Sequence, residues 1–386
     1  MPKKRRELNG EDKEGSWTSP DCVCDRANLD TLDWGESSRK RWLMISKRHL
    51  AVQRGIYFIE SIAKPSKNFN LLAGELLWCF YTISSTSACA AISSLAGTLG
   101  TKLARRWLRK KMPVPTRDAI ALSDYVSTLD GAERLIGSRD QKRYRSILNA
   151  ARRLSPKDFF GFDPSEEPPP SDIPEQCSNC DYISSRSAEA CVGCGFALTR
   201  RSSYAIWREA MVITYTGESY GVRLGGSYSS VINWLASMRP YPSPSGESNS
   251  DGIDEVFYAI THLIYTLNEY GRYRLPASRF LPETEYLQSS MRRAIRVADI
   301  EMLAECVDSL RSLGVKTKGR ATASAIEYLL TCQNKDGSWG DSSNNDIYYQ
   351  FHTTWTAIDA LRDNRFQGRL VFPRTAFLGR PIVDRG

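Results

Sequence analysis

Apolar positions recur every three to four residues along most of the chain, the spacing that lines one face of a helix. The pattern predicts helices over residues 42–63, 71–108, 119–135 and 142–154. It resumes over 204–215, 229–238, 255–270, 283–313 (with room for a break), 322–332 and 348–363. Breakers such as Pro113-Val114-Pro115 separate these runs. No strand-like alternation stands out except in a short cysteine-dense segment, so the fold class is mostly α.

The polar gaps divide the chain. Residues 1–38 are polar, lack periodicity and read as a disordered arm. A helical region covers 39–160. Residues 161–176 form a connector whose stretch 161–174 holds five prolines and reads as extended. The cysteine-dense segment spans 177–198, a second helical region 199–370, and a tail 371–386.

The net charge of +8 changes this picture only in the first half. Residues 1–160 carry 29 basic and 17 acidic side chains, whereas 161–386 carry 23 and 27. A nucleic-acid or anionic-surface partner therefore belongs to the first half if anywhere, and nucleic acid is not the favoured partner. Lys3-Lys4-Arg5-Arg6 has the composition of a nuclear-import signal or simply of a solvated terminus. Lacking an apolar stretch after Met1, the chain reads as intracellular, cytoplasmic or nuclear. Residues 76–101 are a run of 26 without a charge, followed by Lys102, Arg105, Arg106 and Arg109. Its many Ser, Thr, Ala and Gly residues favour buried helices over membrane insertion.

The strongest local chemistry is Cys177-x-x-Cys180 followed, ten residues on, by Cys191-x-x-Cys194-Gly195. Each pair aims two sulfurs at one ion, and two pairs supply the tetrahedral set that Zn²⁺ takes at ~2.3 Å. Four thiolates leave no open position, so Cys177, Cys180, Cys191 and Cys194 predict a structural zinc ribbon. Few basic or aromatic residues lie within it, which favours a staple over a nucleic-acid reader.

Near the C-terminus stands Tyr328-Leu-Leu-Thr-Cys-Gln333-Asn-Lys-Asp336-Gly337-Ser-Trp339-Gly340. This resembles the QW repeat of triterpene cyclases and the related repeat of protein prenyltransferase β subunits. The following Phe351-His352-Thr353-Thr354-Trp355 resembles the inner helix after that repeat. About 45 residues carry the likeness. It implies an α/α toroid, complete or incomplete, of which one repeat is clear, with Gln333 capping a neighbouring helix end and Trp339 covering the joint. It also places His352-Thr353 where the prenyltransferase branch carries a zinc ligand. The acid motif Asp-x-Asp-Asp, the metal motif Asp-Asp-x-x-Asp and the Asp-x-Cys pair of these families are missing; Asp299-Ile300-Glu301 is a distant echo of the last.

Two predicted helices are two-faced. On 255–270, Val256, Phe257, Ile260, Leu263, Ile264 and Leu267 form an apolar stripe, with His262, Tyr258, Tyr265 and Glu269 opposite. On the next, Ile300, Leu303, Val307 and Leu310 oppose Glu301, Glu305 and Asp308. If both polar faces meet in one cavity, His262, Glu301, Glu305 and His352 make a catalytic acid–base or second metal site. The same residues also suit solvated faces and satisfied packing histidines. Tyr258, Tyr265, Trp339 and Trp355 would supply aromatic walls for an apolar, isoprenoid-type small molecule. The expectation is thus a cyclase- or prenyltransferase-like toroid; the alternative is a non-catalytic module whose helical face and zinc ribbon bind a protein or nucleic acid.

Overall fold

Helix follows helix because most polar-to-apolar switches in the chain carry a cap. The side chains of Asp118, Asp140, Ser202, Ser227, Asp299 and Asp346 each accept a backbone N–H from the first turn they precede. Gly137 and Gly221 close two helices in the left-handed conformation. The computed structural model describes residues 36–174, 177, 179–180, 182, 188–244, 250–315, 319–372 and 382–384, with side chains from 46 onward except 250–253, 320, 382 and 384. The expected polar arm and its basic cluster fall on residues outside the described set, save 36–38, which are helical.

In order the helices are α1 (Glu36–Ala63), α2 (Ser66–Thr86), α3 (Ala90–Leu108), α4 (Ala119–Ile136), α5 (Gln141–Ala151) and α6 (Pro156–Phe160). Then come α7 (Ser203–Tyr220), α8 (Tyr228–Ile232), α9 (Leu235–Met238), α10 (Ser250–Leu267), α11 (Leu281–Val297), α12 (Ile300–Ser312), α13 (Arg320–Thr331) and α14 (Ile347–Leu361). Two antiparallel pairs complete the set: β1 (Ile173–Pro174) with β2 (Arg200–Arg201), and β3 (Arg369–Val371) with β4 (Ile382–Asp384). The chain divides into two units, residues 1–45 and 46–386.

Within the second unit α2 packs on α4, α4 on α7, α7 on α10, α10 on α12, α12 on α14, and α14 on α2. The intervening helices lie against these: α3 on α2 and α4, α6 on α4 and α7, α11 on α10 and α12, α13 on α12 and α14. One apolar core runs through them, from Val52 and Ile56 of α1 to Leu361 of α14.

The boundaries sharpen the sequence reading in four places. The uncharged run 76–101 is divided between two helices, α2 and α3. Ser87 leaves the helix with ψ 135°, and the Ala88 N–H donates to the Asp363 carbonyl at 2.7 Å. Among the described residues no helix is long and apolar enough to cross a membrane. The break within 283–313 falls at Ala298, held at φ 57°, with Asp299 starting α12. Residues 229–238 form two short turns, α8 and α9. The tail begins not as a free end but in β3, whose partner is β4.

The Gln333–Trp339 segment joins α13 to α1 and α14, though not as expected. Gln333 donates to the Ala51 carbonyl at 2.8 Å, in the body of α1 and not at a helix end. The carbonyls that follow α13 are taken by Arg54, at 3.0 Å to Asn334 and 2.7 Å to Lys335. Trp339 donates to the Leu329 carbonyl at 2.7 Å and lies over Gly55, where an added Cβ would come within 2.8 Å of the ring. It is buried in this joint, so it is a packing residue.

Candidate functional site

Side chains from α2, α4, α7, α10, α12 and α14 line one cavity of about 1080 Å³. Its aromatic walls are Trp78, Tyr215, Tyr265, Tyr270, Tyr348 and Trp355, and its acids include Glu75, Asp124 and Glu305. Of the expected wall residues, Tyr265 and Trp355 are present. Tyr258 stands behind the wall instead, and Trp339 is in the α1–α13 joint.

Three of the four expected catalytic side chains converge. The ligand atoms of Glu301, Glu305 and His352 lie within 4.8 Å of one another. His352 Nδ1 is 3.2 Å from Glu301 Oε1, an ion-pair contact off the hydrogen-bond line. Glu301 is held from behind: the Tyr258 hydroxyl donates to Oε1 at 3.0 Å and the Thr353 hydroxyl to Oε2 at 3.2 Å. Glu305 is 1 % exposed, and its Oε2 has no hydrogen-bond partner. The face carrying Glu301, Glu305 and Asp308 therefore points inward, and the solvated-face reading of α12 does not hold. Glu269, expected on the same polar face as His262, is exposed and pairs with Arg272 at 3.0 Å.

His262 lines the same cavity but is not part of the three-residue group. Its Nδ1–H donates to the Tyr258 carbonyl at 2.8 Å. Burial, then the charge of Arg208, pushes its pKa down to about 3, so it is a neutral ring. The other histidine behaves oppositely. Burial works against a charged His352, yet Glu301, with Glu305 and Glu75, outweighs it and holds the pKa up at about 9. Burial raises Glu301 less than His352 and its hydroxyl donors lower it, so it stays ionised. Burial pushes Glu305 up to about 7, with His352 only partly opposing. The result is an imidazolium–carboxylate pair beside a carboxyl that gains and loses its proton near neutrality. Two carboxylates and an imidazole also suit a divalent cation as donors.

Glu75 is the member sequence reasoning missed. It stands one residue before the uncharged run, on α2, facing the cavity with its Oε2 unpartnered. Burial raises its pKa, while His352 and the Tyr348 hydroxyl oppose the rise. A lone acid at the head of a long uncharged run was the available signal. Tyr348 stacks on the His352 ring at 5.4 Å with planes 18° apart, and Trp355 meets it edge-on at 6.1 Å.

The cysteine set also converges. Cys177, Cys180, Cys191 and Cys194 place their sulfurs within 4.8 Å of one another, with Cys177–Cys194 at 3.5 Å and Cys180–Cys191 at 3.4 Å. A tetrahedral zinc at ~2.3 Å requires sulfurs about 3.8 Å apart, so the donor set fits such an ion with slight expansion. Backbone turns hold the knuckles: Cys177 N–H donates to Tyr182, Cys191 N–H to Phe196, and Gly195, at φ 73°, donates to Cys191. β1 and β2 close the segment at its base, joined by Arg200 to Asp172 at 2.5 Å.

Compared with protein-family models, curated proteins and solved structures, the chain matches none of them.

Proposed function

We propose that residues 46–370 form an α/α toroid whose central cavity carries out acid–base chemistry on an apolar, isoprenoid-type substrate. The cyclic packing of α2, α4, α7, α10, α12 and α14, alternating in the chain with outer helices, supports the toroid. One observation carries the chemistry: the Glu305 carboxyl is buried on the cavity wall with an oxygen unpartnered, beside the His352 imidazolium.

In its protonated form Glu305 is an acid whose conjugate base is stabilised in advance. Transfer of its proton to an alkene carbon uses the π pair to form the C–H bond and leaves the adjacent carbon cationic. The new carboxylate then lies against His352, whose charge Glu301 keeps in place. Trp355, Tyr348 and Tyr265 present ring faces and edges to the cavity, and ring faces stabilise a cation in a water-poor site. His262, neutral and tied to the Tyr258 carbonyl, adds no positive charge to its part of the wall. A cyclase-type or isomerase-type reaction follows from these parts.

The experiment is incubation of the purified protein with C10–C30 isoprenoid alkenes in deuterium oxide, with products read by mass spectrometry. Deuterium in a rearranged product, lost in Glu305→Gln while the fold persists, is the expected result. Unconverted, unlabelled substrates throughout would overturn the reading and favour the macromolecule-binding module.

The cysteine set is, on the same proposal, a structural zinc site. Elemental analysis is expected to find one zinc per chain that disappears in Cys177→Ser/Cys191→Ser. A second ion that survives those changes and is lost in His352→Ala would replace proton transfer by metal chemistry at the cavity cluster.

A further inference from the structure

The mouth of the cavity is built from side chains that water does not favour. Leu71 is 67 % exposed, Ile120 49 % and Met112 47 %, and all three line the cavity. They come from the first turns of α2, the first turn of α4 and the segment after α3, so the fold and not a local run brings them together. Pro113 and Pro115 restrain the segment beyond Met112.

The residues beside these rim positions in the chain supply a cationic collar, of which Lys110 lines the cavity itself. Lys67, Arg109, Lys110, Lys111 and Arg117 are exposed. The end of α3 is fastened beside the start of α2 by Arg106, which donates to Ser66 Oγ at 3.0 Å and to the Ala63 carbonyl at 2.7 Å, and by Lys110, which donates to Asn70 Oδ1. Of the nearby acids, Asp118 accepts the Ala121 N–H at 3.0 Å and Glu60 lies 3.6 Å from Lys102, while Asp124, exposed one turn beyond Ile120, lines the cavity as well. Among the described residues no acid pairs with Arg109, Lys111 or Arg117.

We propose that this rim docks on an anionic lipid surface, with Leu71, Met112 and Ile120 entering the headgroup–acyl boundary and the collar meeting the headgroups. An apolar protein partner would be served by the three side chains alone; the unpaired cations on both flanks select a negatively charged surface. The association is interfacial, since no described helix spans a bilayer, and it turns the cavity mouth toward the lipid phase. It rests on the rim and not on the acid–base chemistry, so either reading can fail without the other.

The test is co-sedimentation of the full chain with phosphatidylcholine vesicles, with and without 30 % phosphatidylglycerol as a chosen probe on the order of plasma-membrane charge densities. Pelleting is expected with the anionic vesicles only, and is weakened severalfold by raising salt from 0.1 to 0.5 M. Arg109→Gln/Lys111→Gln is expected to weaken partition by about 25-fold, at roughly fivefold per charge. Leu71→Asp/Met112→Asp/Ile120→Asp changes exposed positions only and is expected to abolish pelleting, with thermal unfolding confirming the fold. No pelleting of the unaltered chain overturns the proposal. So does equal binding to neutral vesicles, or binding that the rim variant leaves intact.

Discussion

Helices α12 and α14 meet the cavity at two levels, one to two turns apart, and these are built on opposite terms. At the lower level Asp308 pairs with Arg311 at 2.6 Å and Asp359 with Arg362 at 2.6 Å. Arg311 also caps the end of α14 through the carbonyls of Asp359, Ala360 and Arg362. Each buried charge there has an opposite one. At the upper level two carboxyls share one imidazole, and Glu305 has an oxygen with no partner. The same two helices, with the same burial, thus hold one level that balances its charges and one that does not. The difference separates a brace from a site: paired charges rigidify, whereas a carboxyl left short of a donor keeps an exchangeable proton.

Breaking the lower level should have the largest effect. Arg311→Met frees three helix-end carbonyls and leaves Asp308 buried without its cation. Loss of one member of such a pair costs about 3–5 kcal/mol. Chemical denaturation at neutral pH should show that loss. A cost below about 1 kcal/mol, the range of an exposed pair, would mean that the two levels are alike.

The upper level should respond with the other sign. Burial raises the Glu305 pKa to about 7, so its folded form binds the proton more tightly than the unfolded chain does. That binding stabilises the fold below the ordinary carboxylate range, and the benefit is lost as pH rises through 7. Glu305→Gln keeps the shape and removes the titration. The variant should match the unaltered protein near pH 4 and exceed it at pH 8 by about 3 kcal/mol, while losing any proton-transfer activity. Equal stability at both pH values would show that Glu305 is solvated.

How much of this was legible beforehand depends on how local the cause was. The helices were, because each carries its own period and usually its own cap. The meeting of Glu301 and Glu305 with His352 was one of two readings the sequence left open: the i, i+4 mark of Glu301 and Glu305 suits an inward polar face as well as a solvated one. The break at Ser87–Cys89 was not legible. No proline, glycine or charge stands there, and the turn is set by Asp363 and Asn364 from the far end of the chain. Glu75 was missed for a similar reason. Its meaning comes from Tyr348 and His352, brought beside it only when α14 packs on α2. Tyr258 and Trp339 were placed at the wall because aromatic type carries no direction; packing turned one toward Glu301 and the other under α1.

The finest test of the comparison is the one cation of the upper level. Glu301, Glu305 and Glu75 outweigh burial and hold the His352 pKa at about 9, above its ordinary value near 6.5. A raised pKa in the folded state means that charged His352 stabilises the fold fully below 6.5 and that this contribution fades as pH rises through 9. His352→Gln retains the ring's polar reach without the charge. Its stability deficit should therefore be greatest near pH 6, at about 3 kcal/mol, and should shrink toward zero by pH 10. Arg311→Met shows no such fading, because guanidinium stays charged across that range. Two variants at the two levels that differ in this way would separate a titrating site from a permanent brace; a deficit in His352→Gln that stays constant from pH 6 to 10 would place His352 in the brace as well.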